Sequence, residues 1–129
     1  ISGSDILMKN INFNLVSDKA ISVGENSSAT IINASIKNSS IGIAAKDGSD
    51  VKVIDGVINN SNYSALMAYI KKKEYIGSKI NAVNLKVIGT KNYISDTHSS
   101  LTINGMEVAK SKINTKQLYK TIMKSETKE

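Results

Sequence analysis

A short lysine-rich segment flanked by tyrosines carries the densest group of side chains that could bind a ligand. It is the stretch "YIKKKEYIG" at 69–77, and its candidate ligand-binding residues are Tyr69, Lys71, Lys72, Lys73 and Tyr75. Tyrosines stack on sugar rings, and lysines attract the carboxylates or sulfates of an acidic glycan. The segment therefore predicts contact with an anionic polymer or a partner domain. The alternative is a solvated loop whose lysines keep a strand edge from pairing.

Glu25 and Asp47 are the acidic residues whose spacing best suits catalysis or metal binding. Each lies two residues before a serine, Ser27 or Ser49. On neighbouring turns of a stacked repeat, their carboxylates would lie about 5 Å apart. Two carboxylates at that separation suit a retaining glycosidase or half of a calcium site. The alternative is a solvated column of turn residues, because turns favour acidic side chains in any protein.

The remaining side chains offer little further chemistry. His98 is the single histidine, and the chain has no cysteine. No second histidine or cysteine can therefore join His98 as a ligand of a metal ion. Asp96 lies two residues before His98 on a predicted turn, and this spacing is weak evidence for a catalytic triad. We therefore predict no catalytic residue, no bound metal and no cofactor.

The basic charge of the chain is spread widely. The formal net charge is +6, every one of the 17 basic residues is lysine, and aromatic residues make up 5% of the chain. Phosphate recognition usually relies on arginine forks and stacked aromatic rings. The composition thus favours a generally basic surface over a nucleic-acid interface. It also contains no run approaching the roughly 20 apolar residues that a membrane span needs, so we predict no span.

Five serines open copies of one ten-residue phrase. They are Ser4, Ser27, Ser49, Ser78 and Ser99, with gaps of 23, 22, 29 and 21 residues. Apolar and polar residues alternate after each serine, and a turn-forming residue stands six positions on. Those turn residues are Asn10, Asn33, Asp55, Asn84 and Gly105. The repeat has a period near 22 residues, its apolar and polar residues alternate, and it contains no helical stretch. This combination indicates a stacked β-solenoid.

The predicted fold is all-β, a right-handed single-stranded parallel β-helix of about five coils of roughly 22 residues. Each coil is expected to contain three short strands separated by bends, with third strands such as "GIAA" (42–45) and "ALMA" (65–68). We expect the turn residues to form a structural ladder, made by Asn10, Asn33, Asp55 and Asn84. The third coil exceeds the period by about seven residues, which predicts an insertion loop at 69–77 on one face.

The pattern divides the chain into coils at 1–109 and a C-terminal linker, capping α-helix and tail at 110–129. A helix at 115–124, capped by Asn114 or Thr115, would place Leu118, Ile122 and Met123 on one face. We expect it to cover the open end of the solenoid, with a disordered tail as the alternative. No comparable cap precedes the first coil. This predicts either upstream coils of a parent protein or an end-to-end homodimer.

The repeat resembles the bacterial right-handed parallel β-helix family, the pectate-lyase-like solenoids. The resemblance covers residues 4–108 and rests on the serine phrase together with returns such as "GIAAKDGS" (42–49). Members of that family include polysaccharide lyases and hydrolases, phage tailspikes, adhesins and surface modules without known activity. The resemblance implies that an enzyme of this kind would need either paired aspartates or a calcium cluster with an Arg or Lys base.

These observations favour a non-catalytic structural or binding module of a larger bacterial envelope-associated or secreted protein. Its expected partners are upstream coils or domains and an acidic polysaccharide, and its expected location is extracellular or in the cell envelope. One alternative is a fragment of a polysaccharide lyase or glycoside hydrolase whose active coils lie upstream. Another is a solenoid subunit that assembles end to end. A convincing cluster of acidic residues would favour the enzyme fragment. A dimer in solution would favour end-to-end assembly.

Overall fold

The computed structural model describes residues 3–89 and 92–121, and within them the chain forms a parallel β-solenoid of about four turns followed by one short helix. The all-β prediction is confirmed. In chain order the elements are β1 (Asp5–Lys9), β2 (Asn12–Val23), β3 (Ser28–Ile32), β4 (Ser35–Lys46), β5 (Asp50–Ile54), β6 (Val57–Tyr69), β7 (Lys79–Val83), β8 (Lys86–Ile88), β9 (Tyr93–Ser95), β10 (Ser100–Ile103), β11 (Met106–Glu107) and α1 (Thr115–Thr121).

The strands stack into two sheets, in the register that the repeat predicts. The strands of the serine phrase form the first sheet, in the order β1-β3-β5-β7-β10-β11, with every pair parallel except the last. The second sheet has the order β2-β4-β6-β8, and β9 also pairs with β6. One inward column shows the register, with Ile6, Ala29, Val51, Ile80 and Leu101 aligned from turn to turn.

The second and third strands predicted for each turn are continuous in the first three turns. They form the long strands β2, β4 and β6, which bend where the pairing register shifts. Just before this shift, Asn38 and Asn60 take left-handed backbone conformations, with φ of 57° and 62°. Asparagine tolerates this region because its short side chain makes local hydrogen bonds. A bend of this kind keeps the ladder almost continuous, so two predicted strands become one.

The fifth phrase does not complete a fifth coil, which corrects the predicted number. After β10 the chain reverses at Asn104 and Gly105, both with positive φ, and β11 pairs antiparallel with β10. The N–H of Val108 then donates to the carbonyl of Leu101 at 2.8 Å. In the earlier turns, the residue at this position of the phrase lies on the next strand of the coil instead. An Asn-Gly pair favours this type of hairpin turn. The hairpin ends the parallel stacking and covers this edge of the first sheet.

The serines that define the period form a ladder of hydrogen bonds at one corner of the solenoid. The N–H of Ser4, Ser27, Ser49 and Ser78 each donates to the hydroxyl of the next serine along, over 3.0–3.4 Å. The hydroxyls of Ser27 and Ser49 in turn donate to the carbonyls of Gly24 and Lys46. All but Ser4 are buried. Serine recurs here because a buried corner needs a small group that both accepts and donates.

Replacing Ser27 with alanine is expected to lower the free energy of unfolding by about 1–3 kcal/mol. The change removes two hydrogen bonds, from the N–H of Ser4 to the Ser27 hydroxyl at 3.1 Å and from that hydroxyl to the carbonyl of Gly24 at 2.7 Å. Urea unfolding followed by circular dichroism would measure it. Ser28→Ala is the matched control, because that hydroxyl bonds Asp5 in an exposed position. Equal losses in the two variants would contradict a structural role for the serine ladder.

Asparagine side chains form ladders at two other corners. The predicted column is bonded from Asn33 to Asn10 and from Asn84 to Asp55, each through 2.8 Å side-chain hydrogen bonds. A second ladder, which the sequence pattern does not predict, joins Asn14, Asn38 and Asn60 over 3.0 and 2.7 Å. In both ladders the amide of the later turn donates to the oxygen of the earlier one. The ladders fix the corners against which the strands are stacked.

Apolar side chains pack in two layers. The interior of the coil holds one cluster, which includes Ile31, Ile43, Val53 and Leu66. A second cluster lies outside the third-strand part of the second sheet, and its buried members are Ile41, Ala44, Met67, Tyr69 and Leu118. From Ile43 in β4 and from Leu66 in β6 onward, successive residues therefore alternate between the two clusters. This explains their unbroken apolar runs, which are typical of strands buried on both faces.

Helix α1 covers the side of the solenoid rather than its end, which corrects the predicted cap. Leu118 is 5% exposed and packs in the outer cluster with Met67 and Tyr69. The helix begins where predicted, and the side chain of Asn114 accepts from the N–H of Gln117 as an N-cap. The outer cluster presents an apolar face outside the coil, and Leu118 covers part of it. Predictions for Ile122, Met123 and the tail lie outside the described residues.

Candidate functional site

The insertion loop, residues 70–77, is fixed at its start by two buried aspartates. Oδ1 of Asp47 accepts the N–H groups of Lys71 and Lys72 at 2.7 and 2.8 Å. Oδ2 of Asp96 accepts the N–H of Ile70 at 2.7 Å. Asp47 and Asp96 are 1% and 8% exposed, and they belong to the turns on either side of the loop. Because charged acceptors hold three consecutive N–H groups, the loop leaves β6 in a defined direction.

The end of the loop is fixed by close contact with the turn around His98. A Cβ atom placed on Gly77 would lie only 1.6 Å from the carbonyl oxygen of His98. Between the two fixed ends the N–H of Tyr75 donates to the carbonyl of Lys72 at 3.1 Å, which closes a turn. The loop is therefore a bonded projection, and its side chains are held in place relative to the coil.

The three lysines of the loop have different environments. Lys72 forms an ion pair with Glu25, whose Oε1 lies 2.5 Å from the ammonium group. This hydrogen bond and the charge of Glu25 raise the pKa of Lys72 above its usual range, so it stays protonated well into the alkaline range. Lys71 is half-buried, whereas Lys73 is exposed. Within the part of the chain that the structure describes, Lys73 forms no ion pair, so its charge is directed to solvent.

Lys73 lines two adjoining grooves beside the loop, of about 390 and 370 Å³. Both grooves contain Ile70, Lys73 and His98. Tyr75 lines the first groove, and Lys112 from the C-terminal linker lines the second. We call this surface, formed by Ile70, Lys73, Tyr75, His98 and Lys112, the basic groove. Its exposed lysines attract anions, and the half-buried ring of Tyr75 can pack against an apolar or sugar surface.

Aspartate Asp96 also lines the basic groove, but its carboxylate is already bonded. Oδ2 accepts from Ile70, and Oδ1 accepts from the N–H of His98 at 3.1 Å. These bonds point the carboxylate into the protein, so it opposes an incoming anion less than a solvent-facing acid would. In the sequence, Asp96 stood out only as a neighbour of His98. The better signal was its position three residues before Ser99, close to where Asp47 precedes Ser49.

Tyr69 does not belong to the ligand-binding set, which corrects that prediction. The side chain is fully buried at the end of β6, in the outer cluster with Ile41 and Leu118. It faces the same side of the strand as Met67, two residues earlier, and that side is covered by the C-terminal segment. A ring with no accessible face cannot stack on a sugar. Of the two predicted tyrosines, Tyr75 alone lines the basic groove.

The structure gives Glu25 and Asp47 separate structural partners. Glu25 pairs with Lys72, and Asp47 accepts from the loop backbone, so each carboxylate is engaged by the insertion loop. The solvated column expected as an alternative is wrong for Asp47, which is buried and takes a left-handed φ of 56°. Its Oδ2 is buried without a hydrogen-bond partner among the described residues. Within residues 3–89 and 92–121, no three acidic or histidine side chains gather as a metal site.

No family model matches the chain, and no curated protein and no solved structure shows significant similarity to it. Among the described residues there is no candidate membrane-spanning helix.

Proposed function

We propose that the protein is a non-catalytic binding module, part of a larger bacterial envelope-associated or secreted protein, that holds an acidic polysaccharide in the basic groove. The observation that carries the proposal is the bonded insertion loop. Two buried aspartates and the contact at Gly77 hold the loop, and Lys73 extends from it toward solvent beside Lys112. A preformed site loses less conformational entropy on binding than a mobile loop does.

A polymer suits this surface better than a small anion does. The two grooves are open and adjoin one another through Ile70, Lys73 and His98. A single exposed ion pair contributes little, about 0–1 kcal/mol. A chain with a carboxylate or sulfate on each unit can occupy both grooves together, and linked contacts raise the total affinity. The ring of Tyr75 adds a stacking surface that favours a sugar over a purely ionic chain.

A catalytic role finds less support at the acidic corner. A retaining glycosidase needs one carboxylate that attacks the sugar and another that donates a proton to the leaving group. Here Oδ1 of Asp47 is occupied by two backbone N–H groups inside the protein, and Glu25 neutralises Lys72. Both carboxylates thus serve the geometry of the insertion loop. Binding without cleavage is the activity that this arrangement favours.

The test is binding of the intact chain to polygalacturonate, alginate and heparin, with dextran as the neutral comparison. We expect co-sedimentation and calorimetric binding with the acidic polymers, weakening as salt increases. Replacing Lys73 and Lys112 together with serine should weaken binding about tenfold, because two exposed ionic contacts of about 0.7 kcal/mol are lost. Lys37→Ser with Lys52→Ser is the matched control, since both lysines are exposed on strands outside the groove.

Three results would contradict the proposal. Equal binding to dextran would show that charge is not recognised. An equal loss in the two double variants would show that only net charge matters and that the basic groove is not the site. New reducing or unsaturated ends, followed on the same samples, would show that the protein cleaves its ligand and is an enzyme.

A further inference from the structure

A third groove continues the basic groove along the outside of the second sheet. It has a volume of about 390 Å³ and shares Lys112 and Ile113 with the groove of about 370 Å³. It has no lining residue in common with the groove beside Tyr75. The three grooves therefore lie in a row, with Tyr75 in the groove at one end and Tyr63 in the groove at the other.

The floor of the third groove is apolar. We call it the apolar groove, after its apolar lining residues, which are Tyr63, Ile94, Ile113 and Leu118. Leu118 is a buried member of the outer cluster, and the other three pack against that cluster while staying partly exposed. Strand pairing aligns Ile94 with Met67, and the carbonyl of Tyr63 accepts from the side-chain amide of Asn92 at 3.0 Å. The second sheet therefore holds this floor in place.

Polar groups line the same groove beside its apolar floor. They are the side chains of Ser111, Asn114 and Gln117. Oδ1 of Asn114 accepts the N–H of Gln117 at 3.1 Å, so Nδ2 is the part of this amide that can donate to a ligand. Among the described lining residues, Lys112 alone carries a charge, and it lies where the apolar groove meets the basic groove. Positive charge is therefore concentrated at that end.

This combination suits an N-acetyl group better than a carboxylate. The methyl group of an N-acetylated sugar is buried favourably against the floor, because apolar surface is removed from water. Its carbonyl oxygen can accept from Nδ2 of Asn114. A carboxylate over the same floor would lose hydration against hydrocarbon, which is unfavourable. The basic groove has the opposite preference, since Lys73 and Lys112 attract acidic groups.

We propose that the bound polysaccharide alternates acidic sugars with N-acetylated amino sugars. An acidic unit lies beside Lys73 and Lys112, and the neighbouring unit places its N-acetyl group in the apolar groove. This inference rests on the proposed binding function and names the class of polymer. Lys112 lines both grooves, so consecutive units of one chain meet the two surfaces in succession. Adjacent surfaces of different chemistry recognise a repeat, whereas charge alone would accept any polyanion.

The first test compares ligands that differ by one methyl group per repeat. A hyaluronan decasaccharide alternates glucuronate with N-acetylglucosamine, and its N-formyl analogue keeps the charge and the amide but lacks the methyl group. Calorimetry with the intact chain should show about fourfold weaker binding of the N-formyl analogue, the factor that burial of one methyl group supplies. A galacturonate decasaccharide carries twice as many carboxylates, and we expect it to bind more weakly than hyaluronan. Charge alone predicts the opposite order.

Substitutions in the apolar groove are the second test. Tyr63→Ser removes the ring and should weaken hyaluronan binding about fivefold while leaving galacturonate binding within about twofold. Tyr63→Phe is the matched control, because it keeps the ring and removes only the hydroxyl. Ile113→Ser, in the linker before α1, removes another part of the floor without changing a strand. It should have the same selective effect, and circular dichroism shows whether each variant remains folded.

The outcomes distinguish this inference from the proposed function. Absence of binding to every acidic polymer would overturn both. Equal affinity for the N-acetyl and N-formyl ligands would overturn the inference alone, because the proposed function still depends on the loss of binding when Lys73 and Lys112 are replaced. An equal loss of hyaluronan and galacturonate binding in folded Tyr63→Ser and Ile113→Ser would also overturn it, since the apolar groove would then not select the N-acetylated unit.

Discussion

Replacing Gly77 with alanine is expected to lower the free energy of unfolding by about 3 kcal/mol or more and to abolish polymer binding at the basic groove. The added Cβ would lie 1.6 Å from the carbonyl oxygen of His98 and 2.4 Å from its carbonyl carbon. Both atoms belong to the backbone, and no side-chain rotation relieves the clash. The end of the insertion loop must move away from the His98 turn, which separates Lys73 from one wall of the groove.

Gly24→Ala is the matched control for this substitution. Its Cβ would also meet a close neighbour, at 2.9 Å, but that atom is Cε of the flexible side chain of Lys46. The lysine can rotate aside, so we expect a loss below about 1 kcal/mol. Thermal unfolding and binding to polygalacturonate measure both effects. If the two alanine variants were equally stable, the close approach of the loop to His98 would not be a constraint on the fold.

The repeat was readable from sequence because stacking imposes the same demand on every turn. Each serine corner needs a small donor and acceptor, and each strand needs inward apolar residues at alternate positions. Those demands recur at the period of the coil, so Ser27, Ser49 and Ser78 mark the register without any knowledge of long-range contacts. The second asparagine ladder was missed because its spacing is uneven, 24 and then 22 residues. Asn14 aligns with Lys37 and bonds diagonally to Asn38, whereas Asn38 and Asn60 lie in the same register.

Unbroken apolar runs in the sequence also indicate which side of the solenoid is covered by α1. "IGIAA" at 41–45 and "ALMAY" at 65–69 do not alternate, unlike the strands of the serine phrase. Such runs are typical of strands with both faces buried, which requires a cover outside the coil. Reading them in this way would have placed Tyr69 under that cover. The hairpin after β10 was harder to predict from the sequence. Only a few residues decide between a hairpin and a further coil at this point.

The anchoring of the insertion loop could not be predicted from the pattern. The contacts from Asp47 to Lys71 and from Glu25 to Lys72 span 24 and 47 residues. They depend on the path of a segment that appears once and follows no period. An acidic residue near a turn has many uses, and the sequence does not distinguish a catalytic carboxylate from one that accepts backbone N–H groups. The structure makes that distinction because it shows which group each carboxylate oxygen contacts.

The anchoring role of Asp47 leads to a second large expected effect, a loss of about 2–4 kcal/mol in the free energy of unfolding for Asp47→Ala. The N–H groups of Lys71 and Lys72 lose their acceptor. Alanine is also less tolerant than aspartate of the left-handed φ of 56°. Hydrogen exchange should then increase at residues 70–73, and binding to polygalacturonate should weaken because Lys73 is no longer held beside the groove.

Asp47→Asn separates the acceptor from the charge. Asparagine keeps a side-chain oxygen in the same place and tolerates the left-handed conformation, so we expect a loss of less than about 1 kcal/mol and near-normal binding. Asp50→Ala removes an exposed carboxylate three residues away and should be almost neutral. If the asparagine variant were as unstable as the alanine variant, the negative charge rather than the oxygen would hold the loop. The ion pair of Lys72 with Glu25 would then be the next contact to examine, because both carboxylates would act through charge on one lysine.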